Sequence, residues 1–493
     1  VNVVEEGGEY ASNNGVLYNA DKTIVIWVPY AKTGNVEVAK EATSFRDGAF
    51  YGCTYVTSVT FQKGGTEPFV MKDADSKTGV ATTKHVFFAC PNLTSIIFPA
   101  RLESLGAYAL YTASSSREIY GTGLSEIGFE DGCNVTKIGD YAFANTLLTE
   151  FTLPASVTTV GKKVLSGCSA LESLTLSVGT TSAMLANLVD DVQNLKTVTI
   201  PEGNQELLTD EKGVVYDVDK TQIAYVPYGF DAEEYIIPAS VEKIGAKAFQ
   251  NRKSLKKIVF ASAAEGEDEK SLTIDASAFE NSGLTSVTLP KRLSTMGSMI
   301  FKGCSDLAEV DFEPGFKCTI PTAAFHNCVS LTEIRIPGDV TVIGSQAFEN
   351  ANRLTLVTLG ITDDKSAGSQ LVRIGSNAFK DCQSLVKIQV EQYSKNVDTG
   401  EEKITYLEKL PDSLSQLGTT DSSTTSGNGP FTNCSSLVSI TIPNRVSFIA
   451  NSAFTNCTEL TTVNLPQSLT IIYSSAFSGC GKLTAVNFNS GTE

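Results

Sequence analysis

Phe431, Phe454 and Phe477 stand 23 residues apart, and a cysteine follows each three positions later (Cys434, Cys457, Cys480). The same unit recurs from Phe50 onward, and its last full copy runs Leu460-Thr-Thr-Val-Asn-Leu-Pro466, then Ser468-Leu-Thr-Ile-Ile-Tyr-Ser-Ser-Ala-Phe-Ser-Gly-Cys480. A short fixed period with a Leu-x-x-Val-x-Leu core constrains the chain to a solenoid, because one unit cannot bury its apolar face without stacked neighbours. Such a scaffold makes extended surface rather than a single pocket.

Fifteen strand-like segments fit the Leu-x-x-Ile/Val-x-Leu/Phe pattern, beginning at Val56, Leu93, Leu124, Leu148, Leu171, Leu195, Leu255, Leu284, Leu307, Leu331, Leu354, Leu385, Leu437, Leu460 and Leu483. Their last four positions alternate apolar and polar residues, as a half-buried strand does. A proline often follows (Pro99, Pro154, Pro201, Pro290, Pro337, Pro443, Pro466) and ends the pairing. A second motif, Val-x-x-Ile-Gly-x-x-Ala-Phe, is clear at 241–249, 340–348 and 371–379. It is too short for a helix and reads as a short strand followed by a tight or 3-10 turn. Stacking then gives a parallel sheet on one face, with inward columns of Phe, Cys and Leu.

Register also decides how to read the eleven cysteines. Cys53, Cys90, Cys168, Cys304, Cys328, Cys382, Cys434, Cys457 and Cys480 all follow the Phe of their copy (Leu165 in one) by three residues. One shared register makes a buried column, where cysteine serves as a small apolar residue. Buried free thiols are the expectation, with disulfides between stacked neighbours as the alternative. No Cys-x-x-Cys or His-rich cluster points to a metal.

Two stretches break the period alike. Residues 14–23, ending at Val28-Pro-Tyr30, return at 212–221, ending at Val226-Pro-Tyr228, with an ungapped offset of 198. Each reads as a hairpin around Asn-Ala-Asp-Lys or Asp-Val-Asp-Lys. The self-similarity points to duplication of a larger module, 1–200 and 201–493, within one continuous solenoid over residues 1–493.

These residues carry a family resemblance. The unit Leu-x-x-Val-x-Leu-Pro-x-Ser-Leu-x-x-Ile-x-x-x-Ala-Phe-x-x-Cys, with the Gly-Val-Leu-Tyr…Asp-Lys-Thr insert, resembles the BspA-type (Treponema-type) leucine-rich repeat over nearly the whole chain. The resemblance implies a leucine-rich repeat solenoid of the α/β horseshoe class, β-rich with short 3-10 turns. It also implies a secreted or cell-surface protein of host-associated bacteria, its signal peptide already removed, that adheres to host matrix proteins, microbial surfaces or glycans. Other readings are a spacer rod displaying another region, and a repeat-based enzyme inhibitor or immune-evasion factor.

Charge narrows the partners. Lys+Arg 38 against Asp+Glu 55 gives −17, which opposes nucleic acid and anionic membranes. No apolar run reaches the ~18 residues of a spanning helix. Catalysis finds no footing: His85 and His326 are the only histidines, neither has a motif partner, and no phosphate loop or nucleophile elbow appears. His326 reads as exposed. No enzyme activity, cofactor or metal is expected. Four insertions (62–84, 261–271, 361–370 and 391–430, the last with a hairpin arm from Tyr393 to Tyr406) are candidate functional loops or plain solvated ones.

Binding is sought on the outward strand positions, two and four after the leading Leu. Most copies place plain residues there, as in Ser286/Thr288 and Ser439/Thr441. Between 255 and 390 the pairs include Lys257/Val259, Glu309/Asp311, Glu333/Arg335 and Lys387/Gln389. Lys257, Glu309, Asp311, Glu333, Arg335, Lys387 and Gln389 are therefore the candidate ligand surface. Cross-strand charge pairing, worth about 0.2–1 kcal/mol per pair, is the competing explanation.

Overall fold

The computed structural model describes residues 8–72, 86–111, 122–418 and 429–488. His85 and parts of the 62–84 and 391–430 insertions lie outside them. The chain packs as two compact units, Val1–Val218 with Pro227–Gly229, and Asp219–Val226 with Phe230–Glu493.

All fifteen Leu-led segments form strands. In fourteen the strand opens two residues after the leading leucine, as in Ser95–Phe98 and Ser286–Leu289; the Val56 copy opens on its first residue. The strands pair in parallel with their repeat neighbours: Ser286 lies opposite Glu309 and Glu333 opposite Leu356. The strand Glu234–Ile237 escapes the Leu template because Ala232 stands at the leading position, yet it pairs in parallel with Lys257–Phe260.

The second motif forms the expected short strand before its turn. Its Val-x-x-Ile portion forms short strands that pair in parallel on their own: Lys243–Ile244 with 273–274, Arg373–Ile374 with 342–343, and Phe448–Ile449 with 471–472. Parallel strands thus come from both motifs, not from the Leu segments alone. The Ile-Gly glycine is required by the close stacking. A Cβ on Gly344 would lie 2.5 Å from the Pro321 carbonyl carbon in the preceding repeat.

The Ala-Phe segment makes a third set of inter-repeat bonds. It has the i→i+3 bonds of a 3-10 turn, such as Cys328 N to Phe325 O at 3.2 Å, but left-handed residues interrupt it two before and two after the Phe. Gln346 (φ 59) and Asn350 (φ 63) flank Phe348, and Lys247 (φ 59) and Asn251 (φ 63) flank Phe249. Asn, Asp or Gly fills the second site in most copies because these residues tolerate that region best. This geometry turns each Phe N–H toward the next repeat. Phe249, Phe279, Phe301, Phe325, Phe348, Phe379, Phe431 and Phe454 each donate to the carbonyl just before the next Phe, at 2.7–3.0 Å.

Side chains repeat the pattern. From Phe249 to Phe477 the rings stack with centroids 5.1–5.5 Å apart and interplanar angles of 4–15°. All eleven cysteines are free. Eight of the nine column thiols donate to the carbonyl of the preceding column Phe at 2.9–3.2 Å, as Cys328 does to Phe301. That carbonyl also accepts the N–H three residues on in its own repeat, which belongs to cysteine in five cases and to Thr146, Ser282 or Ala351 in the others, so both lone pairs are used. Burial pushes the thiols up, Cys304 to about 11 and Cys90 to about 12, which keeps them protonated and unreactive.

The first insert forms the expected hairpin, Val16–Asn19 antiparallel with Ile24–Trp27, and adds a strand at Tyr10–Asn13. Among the described residues one helix, Ser182–Val189, takes the place of a second-motif strand; Thr181 caps it through Met184 N at 3.2 Å. Its Asn187 carbonyl accepts the Val164 N–H at 3.2 Å, one residue before the column position Leu165.

Gly344→Ala is expected to destabilise the protein by about 1–3 kcal/mol through overpacking against the preceding backbone. Gly481→Ala, with open space around it, should change stability by less than about 0.5 kcal/mol. Denaturant unfolding of both variants measures the contrast.

Candidate functional site

Two insertions in the second unit fold together. The repeat strand opening at Lys387 continues to Lys395, well past its neighbours, and returns as Glu402–Leu407 in an antiparallel hairpin that sets Tyr393 opposite Ile404. The Asn396 carboxamide oxygen caps the tip, accepting Asp398 N at 2.9 Å and Thr399 N at 3.0 Å. Val397 at the tip is 97% exposed, and Ile404 and Tyr406 are exposed on the arm.

The 361–370 loop is braced from within. Thr362 Oγ1 and Ser366 Oγ donate to Asp364 at 2.8 and 2.7 Å. The Ser366 hydroxyl and N–H, with Thr362, hold that carboxyl down at about 2. Lys365 then ties the loop to the hairpin, with Nζ 2.6 Å from Glu402 Oε2 and 5.2 Å from the Tyr393 ring centroid. Ser413 closes the far side, donating to the carbonyls of Ser369 and Leu371 at 2.7 and 2.8 Å.

Between these walls lies an open cleft of about 870 Å³. It is bounded by residues 365–370, by 390–394 with Thr405 on the arm, by 409–413, and by Arg445. This volume falls in the ordinary range of ligand sites. Hydroxyl and amide side chains dominate the lining, with Tyr393 the aromatic among them.

Glu391 anchors the cleft's inner end. Its buried carboxylate accepts Arg335 Nε at 2.8 Å, Arg335 Nη2 at 2.6 Å and Ile361 N at 3.2 Å. Gly360 makes this reach possible, since a Cβ there would sit 2.7 Å from Arg335 Nη2. Burial pushes the Glu391 carboxyl up, but the Arg335 hydrogen bonds and charge outweigh it and hold the group below the usual range.

The residues proposed from sequence divide by environment. Arg335 is committed to Glu391. Gln389 is buried instead of facing solvent, because its amide donates to Thr358 Oγ1 at 3.1 Å. Lys257 pairs across the sheet with Glu234 at 3.4 Å, and Lys387 with Glu408 at 3.6 Å. Glu309, Asp311 and Glu333 remain exposed on adjacent repeat strands and make no ion pair among the described residues. Strand alternation thus places the exposed acids correctly. The same rule fails at Gln389, whose amide is buried together with its partner Thr358 on the neighbouring strand.

His326 is half-buried, not exposed as its sequence position indicates. Its Nδ1 lies 3.6 Å from Glu349 Oε2, and Glu349 is in turn held by Lys380 at 2.7 Å. Burial lowers the His326 pKa against the pull of Glu349. Among the described residues no group of three or more His, Cys, Asp or Glu is placed to hold a metal ion. Nor is any helix there long and apolar enough to cross a membrane.

The sequence matches the BspA type leucine rich repeat region in six copies, over residues 30–68, 81–210, 224–355, 362–401 and 409–493. The chain belongs to the BspA-type leucine-rich repeat family. Among solved structures it is similar to a leucine-rich repeat protein from Eubacterium ventriosum, at 20% identity over 77% of this chain and 90% of that one, with a TM-score of 0.53. It also resembles a leucine-rich repeat protein from Bacteroides ovatus (18% identity, 96% and 99% covered, TM-score 0.47). A third is a leucine rich cell surface protein from Faecalibacterium prausnitzii (18%, 80% and 96%, TM-score 0.38). Comparison with curated proteins gives no match. Leucine-rich repeat families are generally non-enzymatic binding scaffolds, which agrees with a surface built from stacked strands.

Glu391→Gln is expected to cost about 1–3 kcal/mol, toward the low end because half of Arg335 stays in water. The folded pKa is depressed, so the contribution is present above the unfolded pKa and fades as pH falls through the folded value. The variant should therefore lose less stability than the parent as the pH is lowered below about 4.5, as read by urea unfolding between pH 6 and 3.

Proposed function

We propose that the protein is a secreted or cell-surface recognition protein without enzyme activity, which adheres to a protein partner on host matrix or on another microbe. The observation that carries this reading is the exposed acidic set Glu309, Asp311 and Glu333 on the strand face. These three carboxylates stand where other copies place Ser and Thr, and no cation of the chain neutralises them among the described residues. The partner surface that fits is basic, and the chain's −17 charge speeds encounter with such a partner. Arg335, Lys387 and Lys257 lie on the same run of strands but are paired with Glu391, Glu408 and Glu234, and Gln389 is buried, so the three acids are the free charges of the proposed surface.

The test is binding to immobilised basement-membrane extract by surface plasmon resonance. The triple variant Glu309→Gln, Asp311→Asn, Glu333→Gln should bind at least about tenfold more weakly, with the loss shrinking at high salt. Unchanged binding by the folded variant would move recognition off this face. A wild-type chain that binds neither the extract nor bacterial cells would favour the alternative, a spacer rod displaying another region.

A further inference from the structure

We propose that the cleft between the 361–370 loop and the hairpin arm binds a short oligosaccharide bearing a single carboxylate. This site is separate from the acidic strand face, and its failure or success leaves that reading untouched.

Several of the lining groups are already engaged within the protein. Lys365 is neutralised by Glu402, Lys409 by Asp412 at 2.9 Å, and Glu391 by Arg335. Ser366 and Ser413 spend their hydroxyl protons on Asp364 and on two backbone carbonyls. What remains is a specific set. Gln392 and Thr405 lie directly opposite each other in the hairpin register, so they share one face of the arm, and Ser394 follows on that face. None of the three makes a side-chain hydrogen bond to the described residues, and all three line the cleft. An amide and two hydroxyls each offer donor and acceptor capacity together, which matches the hydroxyls of a sugar. Exposed Arg445 completes the lining as a cation with no ion pair among the described residues. A guanidinium forks onto a carboxylate with two parallel bonds.

Charge selects the class further. Among the charged side chains that line the cleft, Arg445 is the one without an opposite partner among the described residues, in a chain of −17. Polyanions are repelled at long range by that balance, whereas a ligand with one carboxylate meets Arg445 at short range with little opposing field. The cleft's polar lining also disfavours an apolar ligand. The walls are pre-assembled, since Lys365–Glu402, Ser413 and the Asp364 turn hold the loop and arm together without a ligand.

The full chain is titrated by calorimetry with sialyllactose, with lactose as the neutral counterpart, and with a tri-glutamate peptide. Sialyllactose should bind at least about tenfold more tightly than lactose and than the peptide. Arg445→Gln should remove most of that margin, and Thr405→Val should weaken sialyllactose binding, both with unfolding transitions unchanged. No binding of sialyllactose, equal binding of lactose, equal binding of the peptide, or indifference to Arg445→Gln would each overturn the proposal.

Discussion

The hydrogen bond from each phenylalanine N–H to the carbonyl before the next phenylalanine fixes the spacing on which the second unit depends. It holds successive repeats 2.7–3.0 Å apart at donor and acceptor. The rings are thereby placed at offset-stacking distance and the cysteine thiols within reach of the preceding carbonyl. Burying one such ring contributes roughly 1.5–3 kcal/mol, and an offset pair adds about 0.5–1.5 kcal/mol. The hydrogen bond itself contributes less, about 0.5–1.5 kcal/mol net. Its importance is geometric, because a shift of register would unpair the ladder, the rings and the thiols together.

That constraint explains why the scaffold tolerates insertions. The turn arm and the two sets of strands carry the stacking, so a loop can leave between them without disturbing either. The 361–370 loop and the extended strand from Lys387 leave from consecutive repeats, and stacking sets them side by side. Lys365, Tyr393 and Glu402, distant in sequence from the repeat motif, then close a cleft that no single repeat contains. The Arg335–Glu391 pair links the strand face to that cleft, with Gly360 leaving room for the guanidinium.

The strands, the cysteine column and the first hairpin were legible because period and alternation are local signals. Nine thiols share one register and each is free; eight are buried core, while Cys480 in the last full copy is half-buried. The second parallel set was less visible, since a two-residue strand such as Arg373–Ile374 leaves no alternation to count. The left-handed sites were legible in principle: Asn, Asp or Gly recurs two residues after Phe, at Asn251, Asn281, Gly303, Asn327, Asn350, Asp381, Asn433, Asn456 and Gly479. The cleft was not legible. Both insertions were identifiable as departures, but their meeting depends on three-dimensional neighbours, as do the burial of Gln389 and the pairing of Glu391. The helix Ser182–Val189 carried a cap signal in Thr181 that the repeat template obscured.

Native-state hydrogen exchange on the full chain tests the role of the ladder most directly. The account predicts that the amides of Phe279, Phe301, Phe325 and Phe348 exchange only through opening of the whole unit. They should then be at least about a hundredfold slower than the hairpin amides of Tyr393 and Ile404. Exchange of the phenylalanine amides at the rate of the hairpin would contradict it.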